Sequence, residues 1–200
     1  MAALLNPQDP DAQGSCRSSA EEEVPRRSSS SSGSRNPQHC LASPPALVAW
    51  GPQRYLIMDA PNNGNLHMYL KACKHANVTD LIRVCEDQTY SADEVEAAGI
   101  RVHECVFADG DSPRPEVIEK FLRIARATMA QQSCVAVHCV AGLGRAPLLV
   151  ALGLMEIGKI GPVEAVQYIR AQRRGAINAH QLRFLEQYEP RRAKVGCVIE

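Results

Sequence analysis

Cys134-Val135-Ala136-Val137-His138-Cys139-Val140-Ala141-Gly142-Leu143-Gly144-Arg145-Ala146-Pro147 is the stretch that organises the rest of the chain. An apolar run ends at His138 and Cys139. Five residues follow, two of them Gly, and then Arg145 opens an Ala- and Leu-rich segment that runs to Ile157. The pattern is strand, tight loop, helix. A short loop feeding a helix N-terminus aims backbone N–H groups at one point, and the helix dipole adds positive potential there. Gly142 and Gly144 are expected to give the backbone unusual dihedrals and a close approach to a ligand. Arg145 offers a planar fork to two phosphate oxygens. Cys139 at the base of such a cradle has its thiolate favoured, which makes it a nucleophile for phosphoryl transfer. A lone Cys is more often an inert core residue. Here His138, Cys139, Gly142, Gly144 and Arg145 all sit at the offsets that phosphate cradling needs, and the catalytic reading outweighs the inert one.

The chain of 200 residues has 45% hydrophobic content, enough for one domain with a real core. It holds 22 Lys and Arg against 22 Asp and Glu, so global charge gives no argument for nucleic acid. Its eight cysteines (16, 40, 73, 85, 105, 134, 139 and 197) form neither a zinc-type pair nor a dense disulfide framework, and a reducing cytosolic setting fits best. No metal and no cofactor is expected. No apolar run approaches the roughly 18 residues of a membrane span. Residues 1–44 are rich in Ser, Pro, Gln and Arg, with an unbroken Ser run from Ser28 to Ser32, and are expected to be a disordered extension.

From Ala46 the composition changes. Ala46–Trp50 and Tyr55–Met58 read as a hairpin around Gly51-Pro52-Gln53-Arg54. Leu66, Tyr69, Leu70 and Cys73 recur at helical spacing. Val78–Cys85 reads as a buried strand, Ala92–Ala98 as a short helix stopped by Gly99, and Ile100–Phe107 as another strand. Pro113-Arg114-Pro115 opens an amphipathic helix with Val117, Ile118, Phe121, Leu122, Ile124 and Ala125 inside. Gly158 ends the helix after the loop. Gly161-Pro162 starts another with Val163, Val166, Tyr168 and Ile169, and Asn178 caps the last one, through Leu182, Leu185 and Tyr188 to Pro190. Strands alternating with helices predict an α/β fold, a central and mostly parallel sheet flanked by helices, with the loop at a strand's carboxyl end.

His138-Cys139-x-x-Gly142-x-x-Arg145 resembles the catalytic loop of the cysteine-dependent protein tyrosine phosphatases. The fuller string Val135–Pro147 is similar to one branch, the type IVA enzymes or phosphatases of regenerating liver, and so are Leu81–Glu86, Glu164–Arg170 and Arg173–Asn178. The resemblance covers roughly residues 46–190, so 45–190 is taken as a catalytic domain of the tyrosine phosphatase, dual-specificity-like fold. It implies hydrolysis of phosphomonoesters on proteins: Cys139 as nucleophile, Arg145 binding phosphate, and Val140, Ala141, Gly142, Leu143 and Gly144 completing the loop, with His138 and Ala146 in support. The family's acid loop reads Trp-Pro-Phe-Asp-Asp-Gly-like. Here it reads Cys105-Val106-Phe107-Ala108-Asp109-Gly110, which makes Asp109 the general acid and Asp111 the backup, with the bulky loop anchor missing. Many relatives have Ser or Thr after the Arg. Ala146 cannot donate a hydrogen bond there, which implies slow turnover through an accumulating phosphocysteine. Cys85 matches the family Cys that forms a reversible disulfide with the nucleophile.

Cys197-Val198-Ile199-Glu200 has the form of a prenylation box, as relatives do, although Glu lies outside the usual final residues. Residues 191–200, with Arg191, Arg192 and Lys194, are read as a basic tail that helps hold the chain to anionic plasma-membrane or endomembrane surfaces, extended by Arg170, Arg173, Arg174 and Arg183. The loop between Cys139 and Arg145 has no Lys, which argues against multiply phosphorylated headgroups. The resemblance also implies a second reading, a weakly catalytic module binding CBS-pair magnesium transport mediators, and self-association is left open. A rhodanese or arsenate-reductase-like sulfur enzyme is disfavoured by His138, the upstream Asp and Arg173-Arg174.

Overall fold

The computed structural model describes residue 41 and residues 43–190. Most of the expected 1–44 extension, the basic tail and the Cys197 box lie outside the described residues. Leu41 packs on the core, and the Pro44 carbonyl accepts a hydrogen bond from Arg173.

Five strands form one sheet: β1 (Ala46–Trp50), β2 (Gln53–Met58), β3 (Val78–Arg83), β4 (Arg101–Glu104) and β5 (Cys134–His138), in the order β1-β2-β5-β3-β4. Only β1 runs antiparallel to its neighbour; the β2–β5, β5–β3 and β3–β4 pairs are parallel. The hairpin is tighter than the expected four-residue connection. Trp50 pairs with Gln53, which leaves Gly51-Pro52 as the turn, and Gly51 takes the φ of +55° that the first position of such a turn demands.

Among the described residues, six helices connect and cover the sheet: α1 (Leu66–His75), α2 (Ala92–Ala97), α3 (Pro115–Ala130), α4 (Arg145–Glu156), α5 (Pro162–Gln172) and α6 (Ala179–Gln187). The two-residue period of β5 divides the core. Val135 and Val137 pack with α3, α4, α5 and α6 on one face, while Cys134 and Ala136 pack with α1 and α2 on the other. Burial on both faces explains why β5 reads as continuously apolar. Helix α4 is buried all round, so truncating Leu148, Leu149 or Leu152 to Ala would cost about 2–5 kcal/mol each.

Two expectations are corrected. The strand foreseen over Ile100–Phe107 is regular only at β4; beyond it the chain leaves the sheet but stays pinned, with Cys105 N–H donating to Arg83 O and Phe107 N–H to Val84 O. Val163, expected on the inner face of α5, is 48% exposed, because Ala165, Val166 and Ile169 form the buried stripe instead.

Candidate active site

Strand β5 delivers Cys139 to its carboxyl end, and α4 begins at Arg145 with Gly144 as N-cap. Between them the loop is held from behind by its carbonyls. Ala60 N–H donates to Val140 O at 2.9 Å, and Ile177 N–H to Leu143 O at 2.8 Å. Arg173 takes the two between: its Nη2 donates to Ala141 O at 3.1 Å and its Nε to Gly142 O at 2.7 Å. Four successive carbonyls are thus drawn outward. In a planar trans peptide the following N–H points the opposite way, so the amides of Ala141, Gly142, Leu143 and Gly144 turn inward together. Gly142 permits this with φ +65°; Gly144, at φ −112°, is not left-handed.

The loop borders a cavity of about 320 Å³ whose lining includes Ala141, Leu143, Gly144, Cys139, Arg145 and Asp109. Arg145 is buried. Its Nη1 donates to Phe107 O at 3.1 Å, and its Nε lies 3.3 Å from Asp109 Oδ1, an ion-pair contact not aligned as a hydrogen bond. The loop that carries Asp109 is thus tied to Arg145, although the bulky anchor is missing. Phe107 is buried in the main core cluster and its carbonyl accepts from Arg145, so it holds the loop in place. Gly110, at φ +84°, turns the chain directly after Asp109, whose side chain is 81% exposed. Asp111 does not line the cavity. At the mouth, Val140 and Leu143 stay 54% and 39% exposed and give it an apolar rim.

Behind Cys139 lies a buried polar cluster. His138 Nε2 is 2.6 Å from the Tyr90 hydroxyl, and its Nδ1 is 3.4 Å from Cys139 O and 4.0 Å from Cys85 Sγ. Burial pushes the His138 pKa down to about 4, so the ring is neutral at pH 7 and carries one proton. A carbonyl can only accept, which assigns that proton to Nδ1 and makes Tyr90 the donor to Nε2. The Arg83 guanidinium lies 4.6 Å over the Tyr90 ring and opposes any charge on His138. Cys85 is buried next to this cluster. Burial raises its pKa; the positive charge of Arg145 opposes the rise, and Cys139 adds to it. Cys85 and Cys139 are both free thiols, on neighbouring strand ends whose register pairs Arg83 with His138.

Five residues in and around this site were not foreseen in these roles. Arg173, read as part of a surface basic patch, is buried as the clamp of the loop, and Arg170 turns its guanidinium to Ala176 O and Ile177 O rather than outward. Gln181 lines the cavity, with its amide against Gly144. It closes a capping box with Asn178: Gln181 N–H donates to Asn178 Oδ1 at 2.9 Å and Asn178 N–H to Gln181 Oε1 at 3.1 Å. The Asn178-x-x-Gln181 spacing was the signal for it. Tyr90 and Phe107 lie in irregular segments, where no periodicity marks them.

A family model described as "Polymorphic toxin system, DSP-PTPase phosphatase" matches residues 58–159. The "Probable protein tyrosine phosphatase type IVA A" of Dictyostelium discoideum is 44% identical over 161 residues, 80% of this chain and 95% of that protein. The human "Protein tyrosine phosphatase type IVA 3" is 44% identical over 149 residues, 74% of this chain and 85% of its own. A solved protein tyrosine phosphatase from Leishmania major superposes with a TM-score of 0.65 at 38% identity, covering 72% of this chain and 98% of that one.

Proposed function

The chain belongs to the type IVA protein tyrosine phosphatases, and on that premise we propose that it dephosphorylates phosphotyrosine in proteins through a phosphocysteine on Cys139, with breakdown of that intermediate limiting turnover. The Cys139 thiolate attacks phosphorus, the S–P bond forms, and the P–O bond to the tyrosine breaks as Asp109 protonates the departing oxygen. Water then attacks the phosphocysteine and gives its proton to Asp109; phosphate leaves and the thiolate returns. Arg145 and the inward amides hold the equatorial oxygens through both steps. The observation that carries the reading is the set of four outward-held carbonyls around a cavity that contains a thiol, a guanidinium and a carboxylate. Nothing observed favours the CBS-pair binding alternative.

The slow second step rests on Ala146, buried in the first turn of α4 with no hydroxyl to help expel the thiolate. Ala146→Ser is expected to raise steady-state turnover on a phosphotyrosine peptide by at least about tenfold, against a ceiling of roughly 10²–10³ for one well-placed hydrogen bond. Rapid-quench analysis should show less trapped phosphoenzyme in the variant. Unchanged turnover with no phosphoenzyme in either protein would remove the rate-limiting step proposed here.

We also infer a redox gate. A peroxide converts the Cys139 thiolate to a sulfenic acid, and the Cys85 sulfur displaces hydroxide to leave a disulfide that thiols reduce. The support is that Cys85 and Cys139 follow the ends of the paired strands β3 and β5, close enough for Cys139 to influence the Cys85 thiol. Cys85→Ser is expected to turn reversible peroxide inactivation into permanent loss; full recovery with dithiothreitol would refute the pairing.

A further inference from the structure

Far from the cradle, helix α1 carries His67, Lys71, Lys74 and His75 and no acidic residue. Lys71 and Lys74 stand between two apolar troughs. The larger, about 510 Å³, is floored by Leu70, Val78, Ala98 and Ile100; the other, about 500 Å³, is lined by Met68 and Ala72. No carboxylate lines either one. Val78 opens β3, and Cys134 N–H donates to Asn77 O where β5 starts, so this face lies at the amino ends of the parallel strands. The cradle lies at the carboxyl end, about 15 Å away at 3.3 Å per residue of β5.

We propose that the α1 face is a docking site for an acidic, aliphatic peptide segment of a protein partner, whose carboxylates pair with Lys71 and Lys74 while its apolar side chains fill the troughs. Charge complementarity picks the sign of the partner, and the recessed apolar floor picks aliphatic side chains between its acids. A bilayer is a poorer occupant, because a membrane-seated face projects apolar side chains. None of the exposed large hydrophobics among the described residues (Leu47, Val140, Leu143 and Val163) is on α1. Nucleic acid is a poorer one too, since no Phe, Tyr or Trp lines either trough to stack a base. The acidic α2 of a second copy is a poorer occupant too, because it buries its one large apolar residue, Val95, and has nothing to put in the troughs. A segment seated here leaves the cradle open, so docking would lower KM for substrates that carry it and leave kcat alone.

The probe is a fluorescein-labelled synthetic peptide alternating glutamate and leucine, read by anisotropy on the full chain, with a lysine–leucine peptide as control. The expected result is saturable binding of the acidic peptide alone, weakened about tenfold or more by the double substitution Lys71→Glu and Lys74→Glu, and weakened by salt. Both lysines are exposed, and unchanged hydrolysis of a small aryl phosphate shows that the variant is folded and the cradle intact. Equal binding by the variant would overturn the proposal. So would failure of the peptide to bind while phosphatidylserine vesicles bind in a Lys71- and Lys74-dependent way, or peptide binding that tracks only self-association in sedimentation.

Discussion

Asp109→Asn is expected to lower kcat/KM, which reports the phosphocysteine-forming step, on a phosphotyrosine peptide by about 10²–10⁴-fold, the usual contribution of a positioned general acid. On an aryl phosphate whose leaving group is already a weak base the loss should be much smaller, because that oxygen departs without a proton. The contrast separates proton donation from simple loss of structure, since a disordered loop would slow both substrates alike. Asp109 lies against Arg145 Nε, and Phe107 O sits on Nη1 of the same guanidinium. Asn keeps the size and the loop turn at Gly110 while removing the acid. An equal loss on both substrates would assign Asp109 a structural role and move the acid elsewhere; Asp111, outside the cavity lining, is the next carboxylate in the chain.

Gly142→Ala is expected to cost the most of any single methyl in the loop. A Cβ there would sit 2.3 Å from Met58 O, 2.6 Å from Met58 C and 2.7 Å from Arg173 Nη2, at a φ of +65°. The left-handed backbone alone costs an Ala roughly 1–2 kcal/mol. The two backbone contacts cannot relax without shifting β2 or turning the loop amides away from the cavity. A total loss of about 2–4 kcal/mol in the urea unfolding free energy is expected, with a fall of kcat/KM to near background. Gly144→Ala is the control: its Cβ meets no backbone atom, only the side-chain end of Gln181, with Nε2 at 3.2 Å and φ at −112°. That substitution should leave stability nearly unchanged. Equal effects at the two positions would mean that the loop is not held from behind as described.

The sequence was informative where physics is local. The two-residue period of the strands, the Gly-rich turn into α4 and the cap at Asn178 are decided within a few residues, and the sheet, its helices and the loop were legible from them. What was not legible depends on partners far along the chain. Arg173 looks like any surface Arg in a charged stretch, yet its three donors reach Pro44, Ala141 and Gly142, and only the fold brings those carbonyls together. Phe107 is an ordinary apolar residue in sequence, and its anchoring of the acid loop rests on Arg145, 38 positions away. Tyr90 sits in an irregular stretch, and its link to His138 spans 48 positions. Val163 was misplaced for the opposite reason: helical spacing allows it on the inner stripe, and packing against α4 chose Ala165, Val166 and Ile169.

The claim that decides the rest is that Cys139 takes the phosphoryl group into a covalent bond. Acid-quenched enzyme, mixed for milliseconds with a phosphotyrosine peptide and digested, should show one added phosphoryl mass on the peptide containing Cys139, absent from Cys139→Ser. Turnover by Cys139→Ser at the wild-type rate, or a phosphoryl mass on any other residue of a turning-over enzyme, would contradict it.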